Sequence, residues 1–189
     1  PLESVILKVK KLDMGPPCKI LAASLDPPDY SQIVHAILIL KEHGGLLRTN
    51  DTGEFEFDDG ELTYMGECMA SLPCDIRISK LIMIGYLMSV LDEAIIIGAG
   101  LSIQGIFKWH SEDKMNSFNI KAKFANESES DLIAILNAYA TFKDMRDNKY
   151  FNNETAERRW CSDNGLDYKN LHEMRLWIDE ITKRLFQLN

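Results

Sequence analysis

Apolar residues recur at helical intervals along most of the chain, and proline and glycine stops cut the pattern into segments. Residues 18–25 read as a short helix ended by Asp26-Pro27-Pro28, because the residue before a proline is pushed out of the helical region. Asp29, followed three residues later by Gln32, has the spacing of a capping box. Ile33, Ala36, Ile37 and Leu40 then follow at helical spacing up to the stop at Gly44-Gly45. Residues 46–49 and 55–57 flank Asn50-Asp51-Thr52-Gly53, and Phe55 alternates with Glu54 and Glu56, as in a two-stranded ribbon around a turn. Leu62-Thr63 opens another short helix that ends at Leu72-Pro73. Three short helices and a ribbon within residues 1–73 are the plan of a winged-helix domain with a leading segment.

From residue 74 onward the pattern is helical only. Residues 78–89 and 90–101 predict two closely joined antiparallel helices buried in a bundle. Residues 102–129 are weakly periodic and read as a loop with a short helix. Ser130 or Asp131 can cap a helix carrying Leu132, Ile135, Leu136, Tyr139 and Phe142, and a further helix contains Trp160. In the last helix Leu171, Met174, Ile178, Ile181, Leu185 and Leu188 alternate three and four apart, forming a seam for neighbouring helices. The expected fold is mainly α: a winged helix with a small β wing over residues 1–73, then a helical bundle over residues 74–189.

Charge narrows the functions open to such a fold. The 189 residues include 29 acidic and 21 basic side chains, a net charge of -8. This excludes a generic polyanion binder, since phosphate contact is driven by clustered Lys and Arg that displace counterions, so any nucleic-acid contact must be local. Residues 1–75 carry 6 basic and 13 acidic side chains, whereas residues 76–189 carry 15 and 16. The ribbon is the extreme, with Asp51, Glu54, Glu56, Asp58, Asp59 and Glu61 and no basic residue among them. Phosphates would be repelled by such a wing, which argues against DNA reading and for a structural or protein-contact module.

Candidate chemistry is sparse. Cys18, Cys68, Cys74 and Cys161 form no CxxC pair, and His35, His43, His110 and His172 complete no metal-ligand spacing. The expectation is a reduced, intracellular protein without zinc. Pro1-Leu2-Glu3-Ser4 lacks the basic and apolar regions of a signal peptide and starts without Met in the manner of a fragment excised from a longer parent. The most apolar stretch, residues 81–91, is too short to cross a bilayer before Asp92-Glu93 interrupts it. Gly98-Ala99-Gly100 with Gly105 has the wrong spacing for a dinucleotide fingerprint and lies in a helical stretch. Asp92-Glu93-Ala94-Ile95 has the look of a helicase acidic box, but no glycine-rich Lys-Ser/Thr loop accompanies it, and Ser89 three residues earlier favours a helix start. Cations interleave with aromatics at Lys108-Trp109-His110, in residues 121–124, and at Arg158-Arg159-Trp160. Each group could set charges and a stacking ring on single-stranded RNA, although surface charge beside a core aromatic is the commoner arrangement.

The order of short blocks is more specific than any one of them. Asp26-Pro27-Pro28, then Gly60-Glu61-Leu62-Thr63-Tyr64-Met65-Gly66, then Met69-Ala70-Ser71-Leu72-Pro73 are similar to the DPP, GELTxLG and MAxLP blocks of the C-terminal region of DEAH-box RNA helicases. Leu91-Asp92-Glu93-Ala94 with Ala99-Gly100-Leu101-Ser102 resembles that family's LDExxxIAAxLS block, and residues 131–139 its LxLLNxY block. Trp160-Cys161 with Asn170-Leu171 fits WCxxNxLxxxxL. The chain departs from the family's LPLDPRLAK at Leu72-Pro73-Cys74-Asp75-Ile76-Arg77-Ile78-Ser79-Lys80, keeping Asp75, Arg77 and Lys80 and losing the second proline. Its opening, residues 7–15, looks closest to the Tudor-domain-containing germline members of the piRNA pathway.

That resemblance implies a winged-helix domain followed by a helicase-associated, or ratchet, domain. Such a fragment is not itself an enzyme and holds no cofactor, because ATP and Mg bind in motor domains of the parent. It would wall one side of the channel for single-stranded RNA and support translocation together with those motors, in cytoplasmic, perinuclear germline granules (nuage), without DNA or membrane partners. Arg77 and Lys80 are then candidate RNA-facing or interdomain contacts, or else members of a salt bridge through Asp75. Lys121, Lys123, Arg158 and Arg159 are further candidates. A different reading is a docking platform for a granule protein, whose basic or amphipathic peptide would lie beside the last helix, with Trp177 or Phe186 as an exposed anchor. The exposure of those two rings discriminates. An independent enzyme is disfavoured, as no nucleotide loop, metal cluster or activated nucleophile stands out.

Overall fold

A computed structural model describes residues 2–50, 52–108 and 114–188, the side chain of Lys114 excepted. Helices account for most of it, and β structure among the described residues is confined to isolated antiparallel bridges. The chain divides into two compact units, residues 1–84 with 184–189, and residues 85–183.

The first unit contains α1 (Leu2–Lys11), α2 (Pro17–Ala22), α3 (Tyr30–His43), α4 (Tyr64–Ser71) and most of α5 (Ile76–Leu87). Helix α1 was not among the expected elements, yet Leu2, Ile6 and Val9 repeat at four and three. It buries Ile6, Leu7 and Val9 and packs against α2, α3 and α4. Helix α2 stops at Ala22, earlier than the proline pair requires, and the Ser24 hydroxyl donates back to the Leu21 carbonyl at 2.7 Å. Asp29 occupies the N-cap position of α3, but its side chain accepts no capping bond; the Gln32 and Ile33 amides take its carbonyl instead. The expected capping box is therefore replaced by backbone bonds alone. Ile33, Ala36, Ile37 and Leu40 do line the buried face, with Ile6, Leu7, Leu46 and Met69 around them.

Gly44, at φ 80°, ends α3 in the left-handed conformation, and the Gly45 amide reaches back to the Leu40 carbonyl. Gly45 then meets the start of α4. The Thr63 amide donates to the Gly45 carbonyl at 3.2 Å, its hydroxyl donates to the Gly44 carbonyl at 2.6 Å, and the same oxygen caps the Gly66 amide at 2.9 Å. A side chain on Gly66 would run into the Gly45 carbonyl.

Between these two points the expected ribbon is present only as the bridges Leu46 to Leu62 and Thr49 to Phe55. Two side chains explain why it does not lengthen. Asn50 Oδ1 accepts the amides of Thr52 and Glu54, closing the turn around Gly53. Lys41, 3% exposed, reaches from α3 and donates its ammonium to the carbonyls of Glu56 at 2.5 Å and Arg48 at 3.4 Å. Asn50 and Glu54 form one hydrogen-bonded pair, so Arg48 and Glu56 are where the next would fall; the ammonium sits there instead. Asp51 lies outside the described residues.

The second unit contains α6 (Leu91–Ser102), α7 (Lys114–Ala125), α8 (Asp131–Asp147), α9 (Glu154–Asp163) and nearly all of α10 (Tyr168–Phe186). Helix α8 packs against both α6 and α7. Helix α6 begins where expected, but Val90 is its N-cap and Ser89, at φ 61°, caps nothing. The Gly98-Ala99-Gly100 run lies buried within α6, and a Cβ on Gly100 would strike Ile135 of α8, so that glycine serves helix packing. Ser130 caps α8 and Asn153 caps α9. Phe142, 1% exposed, is ringed by Tyr139, Phe151, Trp160 and His172, with centroids 6.1–6.5 Å away. Before α10, Ile106 and Leu166 are fully buried. The Asp167 amide donates to the Ile106 carbonyl at 2.7 Å and Asn170 Nδ2 to the Gly105 carbonyl at 2.5 Å. Leu171, Met174 and Ile181 of the predicted seam are fully buried, while Ile178 and Leu185 are half-buried.

Gly66→Ala is expected to lower stability in urea by about 1–3 kcal/mol, because backbone must yield to the added methyl. Gly53→Ala meets no neighbour and should lose only the left-handed conformational preference, about 1–2 kcal/mol. The two variants separate in the hydrogen exchange of Met69 in α4, which Gly66→Ala accelerates and Gly53→Ala leaves alone. Equal exchange in both would remove the close approach of Gly45 and Gly66 as a constraint.

Candidate functional site

Asp75, retained in the family-like block, is the starting group of α5: its carbonyl accepts the Ser79 amide at 2.8 Å and its Oδ1 accepts the Arg77 amide at 2.9 Å. The carboxylate therefore binds backbone, and neither Arg77 nor Lys80 has a described carboxylate within 4 Å. The salt-bridge alternative through Asp75 is not what the structure contains. Arg77 is exposed and Lys80 half-buried, and without a described carboxylate within 4 Å both cations are open to an external anion.

The cations of the second unit differ in commitment. Lys121 on α7 pairs with Asp131 at 2.7 Å and lies 6.0 Å from the Phe107 ring centroid. Arg158 on α9 binds Glu154 through Nη2 at 2.6 Å and Nε at 3.0 Å and stacks 4.7 Å over the Tyr168 ring. The Arg158 hydrogen bond holds the Glu154 carboxyl below the usual range. Arg159 reaches Asp163 only at 4.0 Å with 82% of its side chain exposed, and Lys123 is exposed with no described carboxylate in range. The nearby rings are half-buried, Phe124 against Phe107 and Trp160 against Phe142 and Phe151, so part of each ring is already engaged in packing. Trp109 and His110 lie outside the described residues. On α10, Trp177 is half-buried and Phe186 is 77% exposed.

Sequence reasoning passed over Arg146. Its Nε lies 3.5 Å from the Glu157 carboxylate, its guanidinium 5.9 Å from the Phe142 centroid, and its Nη1 is buried without a hydrogen-bond partner among the described residues. Glu157, 8% exposed, is held from its other side by His172 Nε2 at 3.3 Å. Arg146 also borders a cleft of about 530 Å³ between α6, α8 and α10, where Lys143 and Arg175 face Asp92, Asp147 and Asp179. Three cations against three carboxylates leave that cleft without a strong preference for an anion. The helical spacing of Phe142 and Arg146 was the available signal, since i and i+4 share a face.

All four cysteines are unpaired. Burial pushes each thiol upward, Cys161 to about 11 with Glu157 adding to the effect, so none has the character of an activated nucleophile. Among the described residues no group of three His, Cys, Asp or Glu could hold a metal ion, and no helix is long and apolar enough to cross a membrane.

No protein-family model matches the chain. Individual relatives do. Over all 189 residues it is 44% identical to the Anopheles gambiae protein named "Probable ATP-dependent RNA helicase spindle-E", and over 185 residues 47% identical to that of Aedes aegypti. The Drosophila willistoni protein of the same name is 40% identical over 189 residues. These alignments take in 98–100% of the chain but only 12–13% of each relative. Along its whole length, then, the chain is homologous to one segment of the spindle-E helicases, and it spans about an eighth of their length.

The thiols supply a test of both units, Cys18, Cys68 and Cys74 in the first and Cys161 in the second. Cys68 and Cys161 should resist iodoacetamide in the folded chain and react on unfolding, with Cys18 and Cys74 intermediate. Because the folded pKa of Cys161 lies above its ordinary 9.0, the native state keeps a proton that the unfolded state releases. Its contribution to stability is complete below about pH 9 and is lost as pH rises toward about 11. Urea midpoints measured across that window should fall more steeply for the natural chain than for Cys161→Ala. Parallel curves would discount Cys161.

Proposed function

We propose that the chain is the winged-helix and helicase-associated (ratchet) region of a DEAH-box RNA helicase of the spindle-E type. The observation that carries this is the similarity, over 98–100% of the chain, to proteins named ATP-dependent RNA helicases. The ordered blocks from Asp26-Pro27-Pro28 to Trp160-Cys161 support the DEAH-box assignment, and helices α1 to α4 with a bridged turn are elements that a winged helix would use.

In this reading the fragment is non-catalytic. ATP and Mg would act in motor domains elsewhere in the parent, and this region would supply a rigid wall against which single-stranded RNA is moved. The parent would work in perinuclear germline granules in piRNA-mediated transposon silencing. Arg77, Lys80 and Lys123 are the better candidates for phosphate contact, because Lys121 and Arg158 already have carboxylate partners whose bonds RNA would have to break. Arg159 stands between these groups. A second reading, a platform that recruits a granule protein, is favoured by one observation: Phe186 presents 77% of its surface to solvent, as an anchor for a partner's helix would.

Anisotropy of a fluorescent single-stranded RNA tests the first reading. Binding is expected at low salt, weakening steeply toward physiological salt. Charge reversal of Arg77 and Lys80 together should weaken it roughly tenfold or more, and reversal of Arg158 and Arg159 should do less. No binding at low salt, or the opposite ranking, counts against this set of contacts. Loss of RNA binding in Phe186→Ala with full binding in the reversals would move RNA to the α10 end.

A further inference from the structure

The segment that least resembles an RNA surface is the turn after α3. Phe55 and Phe57 are 47% and 65% exposed although their rings pack edge to face at 4.9 Å. Neighbouring Tyr30 is 61% exposed, its hydroxyl donating to Asp58 Oδ2 at 3.2 Å. Exposed aromatics of this size and number ordinarily mark a contact surface. Acidic side chains alternate with them: Glu54, Glu56 and Asp58 are their chain neighbours, and Glu61 follows. Of the turn's described carboxylates only Asp59 has a cation within 4 Å, Lys10 at 2.8 Å.

The turn already holds a cation of its own, in a way that identifies the chemistry it suits. The Lys41 ammonium lies 5.0 Å from the Phe55 centroid; burial lowers its pKa, and Glu56, Asp59 and Asp58 act against that in favour of the charged form. One ring and several carboxylates thus act on one internal cation. Phe57 is a second, more exposed ring in the same turn, and Glu54, Asp58 and Glu61 are exposed carboxylates close to it in the chain with no described cation within 4 Å.

We propose that residues 54–61 form a docking surface for an arginine-rich peptide segment of a partner protein, its guanidinium groups stacking on Phe57 and pairing with Glu54, Asp58 and Glu61. Arginine fits better than lysine because its planar, weakly hydrated guanidinium can stack on a ring and bridge a carboxylate at once. Charge complementarity selects a basic peptide over RNA, whose phosphates the same carboxylates repel. This site is independent of the RNA contacts proposed for Arg77 and Lys80, and either can fail without the other.

The test uses the whole chain and a fluorescein-labelled arginine–glycine repeat peptide, with lysine–glycine and glutamate–glycine repeats of equal length as comparisons. The arginine peptide should bind with a Kd on the order of tens of micromolar, tighter than the lysine peptide, and the glutamate peptide not at all. Phe57→Ala should weaken the arginine peptide roughly five- to tenfold and erase its advantage over lysine, whereas Phe57→Tyr should retain both. Glu54→Gln with Asp58→Asn and Glu61→Gln should abolish binding, while the same number of neutralisations at Asp144, Asp163 and Glu173 should not. Because Phe57 is exposed, circular dichroism and the urea midpoint of Phe57→Ala should match the natural chain, separating lost contact from lost fold. Equal losses from the two triple neutralisations, an unchanged Kd in Phe57→Ala, or labelled RNA binding that the Phe57 and carboxylate variants reduce would each overturn the proposal.

Discussion

Burying an ammonium is costly unless its protons are taken up, and the first unit is arranged around the one that it buries. Lys41 continues the inward face of α3 from Ile33 and Ile37, so the helix delivers its side chain beneath the turn. The carbonyls of Arg48 and Glu56, the Phe55 face and nearby carboxylates then compensate the charge, even though desolvation still pulls its pKa downward. The consequence runs outward. A longer β ladder is forgone, the turn stays short, and its aromatics remain at the surface instead of folding onto a sheet.

The second unit solves a similar problem with aromatic packing. Phe142 sits within a ring of four aromatic side chains, and at the edge of that core Arg146 and His172 both converge on the Glu157 carboxylate. Partly buried charges of this kind specify an arrangement more than they stabilise it. They also absorb cations that would otherwise be open to phosphate. At Arg158 and Trp160, basic side chains set beside aromatics in the sequence therefore became a packed ring with paired charge, and of the candidate cations Arg77, Lys80 and Lys123 are those without a described carboxylate within 4 Å.

What could be read in the sequence follows the range of the forces involved. Helices α3, α5, α6, α8 and α10 announce themselves through three-and-four spacing, since each buries one continuous stripe. Helix α1 carries the same signal in only three positions, interleaved with Lys8, Lys10 and Lys11, and was passed over. Caps were half legible: Ser130 caps as its position suggests and Thr63, read only as opening a helix, caps as well, while Asp29 and Ser89 do not, because capping depends on a side-chain rotamer that composition does not determine. The ribbon's alternation was visible, but its arrest was not, as it depends on Lys41 approaching from a distant helix. Arg146 was missed for the same reason: its role exists only once α8 and α9 are brought together.

Homology along the entire chain connects these features to one segment of proteins named RNA helicases, and the acidic turn is a face from which phosphates would be repelled. The bonds from Thr63 to Gly44 and Gly45 tie the turn's two ends together at the base, so residues 46–62 behave as a loop already closed. Lengthening a closed loop costs little, about 0.6 kcal/mol for each doubling, and that cost is confined to the loop. The tip near Gly53 can therefore gain or lose residues while α3 and α4 keep their places, which lets contact specificity drift between related chains without a compensating change in the core.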